Sequence, residues 1–418
     1  MNLTTTDKLL LSALLPSEAS GLRLRRLIAR QSADTEWEAV VRRARVRSFV
    51  PLLRFNLARA GLLANVPPLL RQTLDETSRF QAARHLACVS EATRLTRKLA
   101  DAGVTAIPLK GVALMLGGYY PQAGLRAVSD IDLLVSPQQL EQAERVAHEC
   151  GYLAEKYPEA APGTILFPPH SEHLLPAELN HTVARYGPGG LMLEIHHRAF
   201  HYTRAGRDFG FAEMRSRAAP QRHAAGEILL PAAEDLCLHL VHHTLVDLRS
   251  THLILRTLAD LYFIEQQQPG ALGGLKQRAS ETGLTGAART AIDLLSVIRE
   301  GTLEELDEAR RDDRLAALLD GAMQDEPGAM KTAAALFEYF DVGPSLAGGL
   351  GRLAAIAFTS GKPLAGDDGG TRSGRARFYY PRRAFDLLRK FDWQSLHPRT
   401  VRRLVRLRKI GRPQPGQK

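Results

Sequence analysis

Residues 129–135 read SDIDLLV, an apolar run long enough for a strand but interrupted by two carboxylates, Asp130 and Asp132. Side chains i and i+2 of a strand leave the same face, roughly 6.5 Å apart at about 3.3 Å rise per residue. A sheet that buries this run must therefore bring two negative charges to one place, and unpaired buried carboxylates are costly. A divalent cation such as Mg²⁺ supplies the opposite charge, taking oxygen from one or two protein carboxylates and from substrate phosphates.

The surrounding chain alternates helical and strand-like patterns. Residues 37–57 carry apolar positions at helical spacing with arginines opposite, Pro67 and Pro68 punctuate the chain, and 69–102 reads as a second long helix. An α/β block follows: a short strand over 104–109, a turn and helix over 111–118, and the aspartate strand. Ser136 then acts as N-cap, with Pro137 at the first position of a helix reaching Cys150. The Pro-, Gly- and His-rich stretch up to Gly190 reads as loops with short strands, and 191–196 as a further strand. From Ala232 onward AEDLCLHLVHHTL and LILRTLADLYFIEQ are again helical. The expected fold class is α+β, a small mixed β-sheet flanked by N-terminal and C-terminal helical regions. Its expected divisions are a helical region over 1–102, an α/β domain over 103–230, a helical domain over 231–363, and a Gly-rich linker with a basic tail over 364–418.

At 418 residues with 44% hydrophobic content the chain has ample material for packed cores. No run approaches the length of a membrane span, and the first residues lack the pattern of a cleaved leader. Cys88, Cys150 and Cys237 are odd in number and far apart, which argues against a disulfide framework and for a reduced, cytoplasmic setting. The net charge of +10 belongs to one segment. Residues 372–418 hold 15 Lys or Arg against Asp386 and Asp392, more than the whole excess, so the remaining body is slightly acidic.

A third carboxylate, Glu194, interrupts a similar apolar run, LMLEIHHRAF. Three strand carboxylates suggest a metal triad suited to phosphoryl or nucleotidyl transfer, in which one or two Mg²⁺ ions polarise a triphosphate and stabilise developing charge.

LKGVALMLGGYYPQAGLRAVSDIDLLV, followed by LEIHHR and LLPAAEDLCLHLVHH, resembles the bacterial uncharacterised nucleotidyltransferase family of the polymerase-beta-like superfamily. The resemblance runs from about Glu36 to the ADLYFIEQ helix, more than half of the chain. It implies an Mg²⁺- or Mn²⁺-dependent enzyme that binds a nucleoside triphosphate such as ATP. The enzyme would transfer the nucleoside monophosphate to an acceptor hydroxyl and release pyrophosphate. It also implies that Asp130 and Asp132 are metal ligands, and that Glu194 is the third carboxylate, activating the acceptor. Classical members place Gly-Ser before the aspartate strand, where this chain has Lys110-Gly111. Lys110 would then supply a cation near the triphosphate, Gly111 close backbone approach, and Arg126 a second phosphate contact.

Two other readings keep the fold: a nucleotide-binding or partner-binding protein without turnover, and an RNA-directed, toxin-like transferase using the basic tail. The tail pattern RRLVRLRK over 402–409, near Phe378, Tyr379 and Trp393, suits RNA, an acidic membrane, another anionic partner, or docking on the acidic body. His196 shares the face of Glu194 and is read as a structural histidine. His239, His242 and His243 are read as helix packing, since no HExxH pattern completes a zinc site. Asp260, within the apolar LADLYF helix, either orients the site or caps a neighbouring element.

Overall fold

Four helices begin the chain: α1 (Thr5–Ser12), α2 (Glu18–Ala29), α3 (Trp37–Val46) and α4 (Val50–Arg59). They belong to a computed structural model that describes residues 3–30, 36–155, 161–165, 181–200, 209–223, 226–246 and 253–312, with 315, 316 and 319. Thr4 and Asp7 form a reciprocal capping box at α1, and the Ser17 side chain caps α2, satisfying amides that a helix start leaves unpaired. The helical stretch expected over 37–57 is divided into two helices. Ser48 adopts a left-handed φ of 56°, which ends α3, and Pro51 sits in the first turn of α4, where its missing N–H costs nothing.

The long helix α5 (Pro68–Asp101) backs the sheet. Strands β1 (Ala106–Pro108), β2 (Asp130–Val135), β3 (Arg185–Tyr186) and β4 (Met192–His196) lie in the order β1-β2-β4-β3, with β2 and β4 parallel and both outer pairs antiparallel. Period-2 alternation divides the faces. Ile131, Leu133 and Val135 of β2, with Leu193 and Ile195 of β4, enter the core beside Cys88, Ala92, Leu95 and Leu99 of α5. Ala143, Val146 and Ala147 of α7 (Leu140–Glu149) belong to the same core. Asp130, Asp132, Glu194 and His196 consequently occupy the other face. Between β1 and β2 stand the short helix α6 (Lys110–Leu116) and a loop in which Gly124, at φ 82°, rests on α5. A Cβ there would meet the Ala82 backbone nitrogen at 2.4 Å.

After β4 come α8 (Phe211–Arg217) and the hairpin β5 (Ala219–His223) with β6 (Gly226–Leu230). The hairpin carries no periodic signal because β5, APQRH, has no buried face. Five helices follow: α9 (Ala233–Val241), α10 (Ile254–Gln267), α11 (Ala271–Thr282), α12 (Thr285–Glu300) and α13 (Leu303–Glu308). Buried Arg23 of α2 donates to the carbonyls of Ile298 and Gly301, tying the first helices to the end of α12. The fold is thus α+β, a small mixed sheet with helices before and after it. Among the described residues no helix is long and apolar enough to cross a membrane, and all three cysteines are free thiols. The Gly-rich stretch 364–374, the basic tail and much of 156–180 lie outside the described residues.

Candidate active site

The parallel register sets Asp132 directly opposite Glu194, and Leu134 opposite His196. Neighbouring strands run about 4.8 Å apart, so one carboxylate from each meets at the centre of the sheet. β1 adds a cation. The Leu109 amide donates to the Asp132 carbonyl at 2.9 Å, and the next residue, Lys110, turns into α6 with a left-handed φ of 47°. This conformation is uncommon for a side-chain-bearing residue and is sustained by the contacts around it.

The Lys110 ammonium donates to Asp132 Oδ1 at 2.6 Å and lies 3.8 Å from Glu194 Oε2. His196 Nε2 is 2.9 Å from the same Oδ1 and 3.7 Å from Glu194 Oε2. Burial opposes every charge here. Even so, Lys110 and His196 hold the Asp132 carboxyl well below the usual carboxylate range. Glu194 is held down to about 2 in the same way, against its burial, by the neighbouring His196 imidazole and the Lys110 ammonium. His196 is raised: burial and Lys110 disfavour its charge, but its hydrogen bond to Asp132 and the nearby Glu194 carboxylate outweigh them.

Asp130 behaves differently. Burial and the negative charges of Asp132 and Glu194 raise its carboxyl, with Lys110 and Arg256 offsetting part of the effect. Its only side-chain bond among the described residues comes from the Ser129 hydroxyl at 3.0 Å. A carboxyl raised in the folded chain holds its proton more tightly there than when unfolded, so it favours folding at acid pH and loses that contribution as pH rises through the folded value. Asp130→Asn is therefore expected to raise the Tm of metal-free protein at neutral pH while weakening Mn²⁺ binding. Thermal melts in chelator and a Mn²⁺ titration of the same variant check the two opposite signs.

The donor set accommodates a divalent ion. Ligand atoms of Asp132, Glu194 and His196 all lie within 4.8 Å of one another, and Asp132 Oδ2, although buried, has no hydrogen-bond partner among the described residues. Two carboxylates suit Mg²⁺, and the imidazole shifts preference toward Mn²⁺. His196, which the sequence reading leaves as structural, is thus within reach of the centre. Its signal was the i+2 spacing from Glu194.

Arg126 is engaged elsewhere than at a phosphate. It is 4% exposed, and its guanidinium donates from Nε to Asp260 Oδ1 and from Nη2 to Oδ2, both at 3.1 Å, and from Nη1 to the Ala127 carbonyl at 2.8 Å. Tyr120 also donates to Asp260 Oδ1, at 2.5 Å. Asp260 of α10 therefore binds the segment leading into β2. Gly111 belongs to this arrangement too: a Cβ on it would lie 2.8 Å from Arg126 Nη1. Because that guanidinium is buried and held by three bonds, Gly111→Ala is expected to destabilise the fold by about 1–3 kcal/mol, measured by urea denaturation.

Arg84 of α5 contributes from behind, donating to the carbonyls of Val128 at 3.0 Å and Ser129 at 2.8 Å, which positions the first residue of β2. Cys88, one turn further along, is inert, its thiol pushed up to about 12 by burial and by Asp130. His239 and His242 stack on Phe200 at centroid distances of 6.5 and 4.3 Å. Neither joins the group of metal-capable atoms found among the described residues. Arg84, Tyr120 and Arg256 are not marked by any motif in the chain.

These features define an α+β protein with an acidic centre on the face of a small mixed sheet that points away from α5, neutralised by a lysine from the preceding turn. The chain belongs to the uncharacterised nucleotidyltransferase family, whose family model matches residues 33–298. No curated protein and no solved structure matches it.

Proposed function

We propose that the protein is a divalent-metal-dependent nucleotidyltransferase that moves a nucleoside monophosphate from an NTP to a hydroxyl acceptor. The acceptor oxygen bonds to the α-phosphorus, the bond from that phosphorus to the β-phosphate bridging oxygen breaks, and pyrophosphate leaves with the electron pair. Asp132, Glu194 and His196, whose ligand atoms converge, would hold Mg²⁺ or Mn²⁺, with Asp130 joining them from the same face of β2. When bound, the ion would neutralise triphosphate charge and lower the pKa of the attacking hydroxyl. Glu194, as the carboxylate from the later strand, would take the acceptor proton, and Lys110 would supply a positive charge to the phosphates. The observation that carries this reading is the pairing of Asp132 with Glu194 across parallel strands, with Asp132 Oδ2 left unpartnered. Pyrophosphate release tests it. Purified protein with each NTP, Mg²⁺ or Mn²⁺, and panels of small hydroxylated molecules, sugars, RNA ends and proteins should release pyrophosphate with one panel and not without metal.

A second reading rests on Lys110. Its ammonium already offsets the charge of Asp132 and Glu194 where an ion would sit, an arrangement that also suits a protein that binds nucleotide without turnover. Calorimetric NTP binding without product in every panel would favour it. The RNA-directed version depends on residues 372–418, which lie outside the described residues. Loss of RNA modification on deleting that segment, with NTP binding intact, would support it.

A further inference from the structure

Asp260 carries one negative charge, and Arg126 and Tyr120 take up both of its oxygens. One helical turn earlier on α10 stands a second guanidinium, Arg256, and residues i and i+4 share a helix face. That face lies along the segment that ends at Asp130. Tyr120 packs against Phe263 with ring centroids 4.3 Å apart at a tilt of 39°, and Arg126, four residues before Asp130, is bound to Asp260.

Arg256 is half-buried and makes no side-chain hydrogen bond or ion pair among the described residues. Burial and the nearby Arg126 charge push it down to about 10, while Asp260 and Asp130 draw it up, so it remains protonated at neutral pH. A partly desolvated guanidinium without a hydrogen-bonded counterion carries a cost, and its nitrogens, which are not wholly buried, stay within reach of an anion that arrives with the substrate. A guanidinium fits phosphate oxygens in bidentate geometry.

We propose that Arg256 is the anchor for the polyphosphate of the substrate, binding the phosphates that are not transferred on the Asp130 side of the acidic centre. This assignment rests on the nucleotidyltransferase reading and names a residue that holds the leaving group's charge. Because Asp260 saturates Arg126, the two arginines differ in role: Arg126 maintains the fold and Arg256 meets ligand.

Titration calorimetry with inorganic tripolyphosphate in the presence of Mn²⁺ tests it on the full chain, comparing wild type, Arg256→Met and Arg256→Lys. Loss of a charge-assisted, bidentate contact should weaken tripolyphosphate binding about 10- to 100-fold in Arg256→Met. Arg256→Lys should recover part of that loss. Affinity for Mn²⁺ alone should not fall, since a cation near Asp130 is removed and no ligand atom is lost, and Tm should not fall, since no internal hydrogen bond is lost. A purely structural arginine would reverse the pattern, lowering Tm and leaving tripolyphosphate affinity within twofold of wild type, and that result overturns the proposal. The two readings fail separately. If Arg256→Met loses tripolyphosphate but wild type releases no pyrophosphate from any NTP, the anchor stands and transfer does not. If wild type releases pyrophosphate and Arg256→Met binds tripolyphosphate normally, transfer stands and the anchor does not.

Discussion

Asp132→Asn is expected to lower nucleotidyl transfer by at least about a thousandfold, the loss that corresponds to several kcal/mol of transition-state charge stabilisation. Mn²⁺ affinity should fall by at least about a hundredfold with it. The variant keeps shape and hydrogen-bonding capacity and removes one charge. That charge matters more than its neighbours because Asp132 lies at the centre of the sheet, its Oδ1 takes Lys110 and His196, and only Oδ2 remains for an ion. The loss should be greater than in Asp130→Asn, whose carboxyl is raised rather than lowered in the metal-free protein. Single-turnover assays with saturating NTP, alongside Mn²⁺ titration, separate the two effects. Unimpaired transfer in Asp132→Asn would move the chemistry to other residues.

The second large effect is one of stability. Asp260→Leu removes the carboxylate that binds Arg126 and Tyr120 and leaves a buried guanidinium unpaired, which costs about 3–5 kcal/mol. Both side chains are almost fully buried, at 4% and 1% exposure, so solvent screening gives little relief. For a folded unit of this size the Tm should fall by at least about 6 °C. Arg126→Met combined with Asp260→Leu should recover much of the loss, because an apolar pair of similar volume leaves no unsatisfied charge. Equal destabilisation in the single and double variants would place the importance of Asp260 elsewhere. Transfer should also weaken in Asp260→Leu, since Arg126 and Tyr120 hold the segment that delivers Asp130.

Much of the acidic centre was legible from local pattern. An i, i+2 aspartate pair in an apolar run, and a lone glutamate in another, are readable because strand geometry assigns faces with a period of two and because carboxylates seldom sit in such runs without a partner. Helices α5, α9 and α10 were legible for the analogous reason at a period of 3.6. The break at Ser48 was not, since a left-handed serine has no distinctive neighbours. The polar strand β5 was not either, because pairing alone holds it and no buried face marks it.

Arg126 shows the boundary most clearly. Its position, four residues before Asp130, suggested a phosphate contact, but its charge is consumed by Asp260, which is 134 residues away in the chain. Such pairings leave no trace in spacing. The same remoteness hid Arg256, whose surplus charge becomes evident only once Asp260 is seen to be saturated.

The linear chain therefore dictated which strands carry carboxylates and which faces they leave, because these depend on local periodicity. Tertiary structure alone decided that β2 and β4 run parallel in a register that sets Asp132 against Glu194, that Lys110 enters from a left-handed turn to neutralise them, and that Asp260 claims one arginine and leaves the other. Each of these is a long-range pairing of charges or strand edges, and its energy exists only after distant segments have been brought together.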